Sequence, residues 1–185
     1  RLSPTQLKST KADNVLSQEV LDIIEKYKEY FNKIEEIVEF IDSTRNPYGI
    51  YDVVRKYALA NGKIHYKDIK IKDEIIKVED YYEPNNPEEY VIVMIDHIGL
   101  ISPEKNYDTG IPMTLHESIG KLSSDYLIKL RNRFKYIPVV IQQQAAAQES
   151  IENKKYNKLK PTLDGLAGNK ETQRDSNVIL GLFSP

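Results

Sequence analysis

Two apolar runs in this sequence end on polar residues of a kind that can handle phosphate. Tyr90-Val91-Ile92-Val93-Met94-Ile95 is followed by Asp96, and Ile137-Pro138-Val139-Val140-Ile141 is followed by Gln142, Gln143 and Gln144. A carboxylate at the tip of a buried strand can hold a hydrated Mg2+ against nucleotide phosphates. The same Asp can equally cap the next turn. A carboxamide at a neighbouring strand tip can hydrogen-bond a γ-phosphate or an attacking water, and three glutamines in a row can equally be solvated loop. Further on, Lys154, Lys155, Lys158, Lys160, Lys170 and Arg174 gather positive charge in one stretch. Clustered Lys is physically sufficient for salt-sensitive, sequence-independent binding to a nucleic-acid strand. Glu149 and Glu152 dilute that patch, and an ordinary solvated loop has the same composition.

Other chemistry is excluded or weak. The 185 residues contain no cysteine, so no disulfide scaffold, thiolate nucleophile or Cys-ligated metal site exists in them. The three histidines, His65, His97 and His116, are too dispersed to suggest a metal cage. His97 reads as a packing neighbour of Asp96, and His116 as a solvent-exposed residue of a first helical turn. The segment Glu79 to Glu83 reads as a solvated acidic edge. A net charge of −2, from 26 Lys+Arg against 28 Asp+Glu, argues against a strongly basic coat but not against a local basic patch. No apolar run approaches the ~20 residues needed to cross a bilayer, and the start has no signal-peptide pattern, so a cytoplasmic protein away from membranes is expected.

The elements that must position these residues follow from periodicity and punctuation. Residues 1–16 read as an irregular lead-in. Ser17 as N-cap and Val20, Leu21, Ile24, Tyr27 and Phe31 at helical spacing predict a helix to about Asn32. The β-branched and aromatic run Glu36 to Ile41 predicts a strand. Asn46 as cap and Pro47 at the first helical position open a second helix, ending near Asn61-Gly62. Alternating, charged residues 63–82 predict a β-hairpin inserted at a sheet edge. The runs ending at Ile95 and Ile141 suit strands buried on both faces of a parallel sheet. Between them, a Thr114/Glu117 capping box and apolar residues every three or four positions predict a helix to about Tyr136. Asn177 to Phe183 predicts a last strand. Strands alternating with helices give an α/β domain whose sheet is mainly parallel.

Taken together, the strand tips are recognisable. The segment Val91 to Asp96, followed by His97-Ile98-Gly99-Leu100-Ile101, resembles the Walker B segment of DnaB-type replicative helicases, with the Asp-His pair closest to phage primase-helicase variants. Ile137 to Gln144 resembles the strand whose terminal Gln senses the γ-phosphate, which places that role on Gln144. Leu163-Asp164-Gly165-Leu166-Ala167-Gly168 and Gln173 to Leu180 resemble the segment before the family's next core strand. Phe40-Ile41-Asp42 and Asn46 to Tyr51 also fit, so the resemblance spans about residues 37–185. It implies a RecA-like parallel sheet flanked by helices, with a charged hairpin at an edge. It further implies ATP and Mg2+ as cofactors, Asp96 holding Mg2+ through water, and single-stranded DNA gripped by the lysine-rich region within 142–176. A homo-hexameric ring and a primase or loader partner are the assembly it implies.

The sequence departs from that pattern in one respect that bears on activity. It has no G-x-x-x-x-G-K-[ST] to cradle phosphates. The resemblance places that loop and the water-activating Glu before Arg1, and the arginine finger after Pro185. A partial ATPase domain that does not itself hydrolyse ATP is therefore expected. Two other readings stay open: another RecA-like ATPase, such as a recombinase or KaiC-type protein, and a structural or interaction module without a phosphate loop.

Overall fold

This computed structural model describes residues 16–72, 74–107, 109–145, 150, 152, 155, 161–166 and 169–182, so all but the last residue of the lead-in expected over 1–16 lies outside the described residues. The chain divides into two units, 1–42 and 43–185. In the first, α1 (Gln18–Lys26) and α2 (Lys28–Ile37) are separated at Tyr27, whose φ of −96° and ψ of 2° leave the helical region for one residue. Ser17 stands at the N-cap, but its side chain makes no capping hydrogen bond. The strand expected over 36–41 does not form. Glu36 and Ile37 finish α2, whose last bond runs from Val38 N to Ile34 O (2.8 Å). Val38 to Ile41 then have no ladder partner, and a β-branched run becomes a strand only when another strand pairs with it. Phe40 is left 87% exposed.

The second unit begins with a well-punctuated helix, α3 (Pro47–Ala60). Asn46 Oδ1 accepts from Gly49 N at 2.6 Å, and Pro47 fills the first turn, where its missing N–H costs nothing. Only glycine fits at 49, because a Cβ there would run into Thr44 Oγ1 and Asn46 Oδ1. The hairpin follows as β1 (Gly62–Ile71) and β2 (Glu74–Pro84), antiparallel from Gly62↔Pro84 to Ile71↔Glu74 with an irregularity between Ile64 and Tyr66. It is a two-stranded sheet of its own rather than an edge of the parallel sheet. Its base is pinned by buried Ile64 and Tyr82, by Tyr82 Oη donating to Ala58 O (2.8 Å), and by Glu79, which pairs with Arg133 and Arg55.

The remaining strands, β3 (Ile92–Ile95) and β4 (Ile137–Val140), pair in parallel. They are joined through a continuous helical stretch: α4 (Leu115–Lys121), a π-helical segment (Leu122–Leu127) and α5 (Ile128–Phe134). Thr114 and Glu117 make the expected capping box, with Glu117 N on Thr114 Oγ1 and Thr114 N on Glu117 Oε2. Thr114 N (2.7 Å) and Thr114 Oγ1 (2.8 Å) both donate to the ionised Glu117 carboxyl and hold its pKa below the usual carboxylate range. Lys135, at φ 63°, closes α5 in the left-handed region. Ile119, Leu122, Leu127, Leu130 and Phe134 form the centre of the core with Ala58 of α3 and Ile98, and Val93 and Ile95 of β3 pack onto it with Val91 just before the strand.

The sheet is smaller and more open than expected. Residues Ile92 and Met94, on the other face of β3, are 60% and 64% exposed, so the strand is buried on one face, not two. Asn177 to Leu182 form no strand; Val178, Leu180 and Leu182 are exposed, and Phe183 lies outside the described residues. These residues join the free edge of neither β3 nor β4. Among the described residues the fold is thus mixed helix and strand, with one antiparallel and one parallel pair. Tyrosines that look scattered in sequence converge in two groups. Tyr51 stacks on Tyr126 (5.1 Å), with Tyr48 edge-on to it (6.3 Å), while Tyr82, Phe134 and Tyr136 meet within 6.4 Å of one another.

Candidate functional site

The parallel register brings the two polar strand tips side by side. Ile95 stands opposite Val140, and the pairing continues past both strands: Ile141 N donates to Ile95 O and Ile98 N to Ile141 O, each at 3.0 Å. Both polar tips therefore lie at the same end of the pair, Asp96 directly after Ile95 and Gln142 directly after the bonded Ile141. Asp96 is clamped from behind by Ile98, which is 1% exposed and opens a short 3-10 turn, Ile98–Leu100. His97 caps that turn, its Nδ1 accepting from Gly99 N at 3.2 Å. The Asp96–His97 peptide is cis. The Asp96 carboxylate is exposed, with no hydrogen-bond or ion-pair partner among the described residues.

The three glutamines differ in their surroundings. Gln142 is built in: its Oε1 accepts from Thr172 Oγ1 at 2.6 Å and its Nε2 donates to Asn169 O at 3.2 Å. Gln143 is exposed. Gln144 forms an isolated bridge with Leu166, donates through Nε2 to Thr162 O at 3.3 Å, and leaves Oε1 buried without a partner.

Of the basic residues, Lys154, Lys158 and Lys160 lie outside the described residues, and Lys155 is helical and exposed. Lys170, the N-cap of α6 (Glu171–Asp175), and Arg174 within it are exposed at one helical turn's spacing, so they share a face. The acidic side chains of α6 point elsewhere. Asp175 Oδ2 accepts from Ser123 Oγ (2.6 Å) and Ser124 Oγ (2.8 Å), and Glu171 Oε2 lies 3.2 Å from Ser124 Oγ. Both serines belong to the π-helical segment. Arg131 closes the far end of α6 by donating to Asp175 O (2.8 Å) and Asn177 Oδ1 (2.9 Å), where a cation complements the helix C-terminus.

Comparison with family models, curated proteins and solved structures gives no match.

The residues present fit the two implied ligand roles unequally. A Mg2+ bound mainly through water and phosphate oxygens needs one free carboxylate, and exposed Asp96 meets that need. Among the described residues no group of three or more His, Asp or Glu could hold a metal by itself. Gln144 fits a phosphate less well. Phosphate oxygens need donors, yet its unpartnered atom is an acceptor and its donor is engaged with Thr162. No helix among the described residues is long and apolar enough to cross a membrane.

A buried carboxylate, Glu104, escapes a reading of the sequence. It lies in the loop after Asp96, and its side chain is 5% exposed. Oε2 accepts from Tyr48 N (2.8 Å) in the first turn of α3, while Oε1 accepts from Tyr126 Oη (3.1 Å) and pairs with Lys121 Nζ (3.3 Å). Its own backbone N donates to Ser118 Oγ (3.0 Å). One carboxylate thus ties the loop behind Asp96 to α3, α4 and the π-helical segment. Burial, and then the negative charge of Glu104, push the Tyr126 hydroxyl far above its ordinary pKa. Asn46-Pro47 announces a helix start that would welcome an anion, but nothing in the sequence says which residue supplies it.

Proposed function

We propose that this chain is part of a RecA-like ATPase domain, and more specifically of the motor of a DnaB-type replicative DNA helicase. In the intact protein, a cytoplasmic hexameric ring couples ATP hydrolysis to movement along single-stranded DNA and to unwinding, with a primase or loader as partner. One observation carries this reading: β3 and β4 pair in parallel so that Asp96 stands beside the glutamine-bearing tip, with the long helical stretch making the crossover. Ligands in open α/β sheets bind at the carboxyl ends of strands, where these side chains lie.

In this reading Mg2+ supplies charge neutralisation on the phosphates when bound. Asp96 holds it through water, from a backbone position set by the β3–β4 ladder and the buried Ile98. Gln144 reports on the γ-phosphate once its amide leaves Thr162. Lys170, Arg174 and Lys155, with Lys154, Lys158 and Lys160 from the sequence, hold the DNA backbone by charge. The test is ATP hydrolysis by the full-length protein, with and without single-stranded DNA. Turnover stimulated by DNA and accompanied by strand separation supports the helicase; stimulated turnover without strand separation points to another RecA-like ATPase. The engagement of the Gln144 donor with Thr162 favours one rival, a nucleotide-free interaction module. A full-length protein that binds no nucleotide establishes that rival.

A further inference from the structure

We propose that Gln142, rather than Gln144, is the positioning residue that transmits displacement of the β4 tip to the helix bearing Lys170 and Arg174. This rests on the helicase reading above and names the device by which its two sites communicate. Gln142 lies at the strand tip next to Asp96, and both ends of its amide are engaged by the segment that carries α6: Thr172 Oγ1 at 2.6 Å and Asn169 O at 3.2 Å. Those partners are anchors, not surface groups, since Asn169 is 4% and Thr172 7% exposed. The Thr172 hydroxyl also lies 3.0 Å from Asn169 O. Asn169 Oδ1 accepts from Glu171 N at 2.6 Å, and its Nδ2 donates to His116 O at 2.8 Å. The amide of Gln142 is therefore bonded directly into the first turn of α6.

The opposite side of α6 is held as firmly, through Asp175 and Glu171 on Ser123 and Ser124. Its exposed face carries Lys170 and Arg174. A helix whose first turn is bonded to a strand tip resists separation from that tip, because part-buried amide and hydroxyl groups left unpaired are costly. Gln144 lacks this connection. Its bonds go to Thr162 and Leu166, neither of which lies on α6. An apolar residue at 142 would fill the space but carry no such link.

The experiment measures the affinity of the full-length protein for a fluorescent oligo-dT, by anisotropy, with Mg2+ and either ADP or a non-hydrolysable ATP analogue. The wild type is expected to show affinities differing about 10-fold between the two nucleotides, within the usual range of coupling between sites. In Gln142→Leu that ratio should fall to about 2-fold or less, with each nucleotide's own affinity within about 3-fold of wild type. Thr172→Val removes one of the two bonds while keeping the side-chain shape, and should lower the ratio part of the way. The double variant should lose no more than Gln142→Leu alone, which already breaks both bonds. Gln143→Leu should keep the wild-type ratio. Loss of coupling with binding intact is not what a merely structural role produces. If Gln142→Leu does not fold, Thr172→Val decides alone. A wild-type ratio in these variants overturns the role of Gln142 and leaves the helicase reading standing. A wild-type protein that binds no DNA, or binds it equally with both nucleotides, overturns the helicase reading and the proposal with it.

Discussion

Replacing Glu104 by glutamine keeps the size and shape of a buried side chain that serves three donors and removes its charge. The structure allows the new amide two orientations. With its oxygen toward Tyr126 and Lys121, its NH2 faces the Tyr48 N–H, donor against donor. With its oxygen toward Tyr48, the NH2 meets Tyr126, whose hydroxyl then accepts and leaves its own proton unpaired. Lys121, 22% exposed, turns to solvent in that case. The second orientation is cheaper. It weakens the bond to Tyr48 from charge-assisted to neutral, about 1 kcal/mol, and strands the proton of a hydroxyl on a 7% exposed Tyr126, about 1–2 kcal/mol. The sum is about 2–3 kcal/mol, or roughly 5–10 °C in Tm for a domain of this size. Glu104→Leu leaves every donor without an acceptor and should cost about 3–5 kcal/mol. Thermal melts followed by circular dichroism measure both. If Glu104→Gln melts within 1 °C of wild type, to about the precision of such melts, the carboxylate does not hold these elements together and the reasoning fails.

Two further outcomes are expected. Burial, then hydrogen bonding and charge, lift the hydroxyls of Tyr126 and Tyr136 far above the ordinary value near 10. The unfolded chain therefore loses these protons first: their contribution is intact below pH 10 and declines above it, by about 1.4 kcal/mol per pH unit for each Tyr. Denaturant unfolding measured between pH 9 and about pH 11.5 should show that fall, and a flat profile there refutes it. Charge reversal at Lys155, Lys170 and Arg174 should weaken oligo-dT binding by the full-length protein and reduce the slope of log K against log salt by about 0.7 per lost phosphate contact. An unchanged slope removes these residues from the DNA-binding account.

What could be read from the sequence was local. Asn46-Pro47 and Thr114-x-x-Glu117 mark helix starts because the cap and the bonds it makes lie within four residues of each other. The two strand tips were legible for a related reason: an apolar β-branched run ending on a polar residue is a signal carried within six residues. The same signal misled at Glu36–Ile41 and Asn177–Leu182, where the composition suits a strand but no edge comes to pair with it. Pairing is a property of distant chain, which no window of residues contains. The same holds for Glu104, Asn169, Ser123 and Thr172, each satisfied by partners 14 to 56 residues away. It also holds for the three glutamines, alike in sequence and unlike in structure because only Gln142 and Gln144 find partners in the returning chain.

The most direct test of the central claim is the Mg2+-dependent, DNA-stimulated ATPase rate of the full-length protein compared with its Asp96→Ala variant. Stimulated turnover is expected in the wild type and a loss of roughly 100-fold or more in the variant, the scale that follows when the carboxylate positioning a charge-stabilising metal is removed. The variant should still fold, because the Asp96 side chain is exposed and has no partner among the described residues to lose. A folded Asp96→Ala protein that keeps wild-type stimulated turnover would contradict the assignment of this strand tip as a nucleotide site.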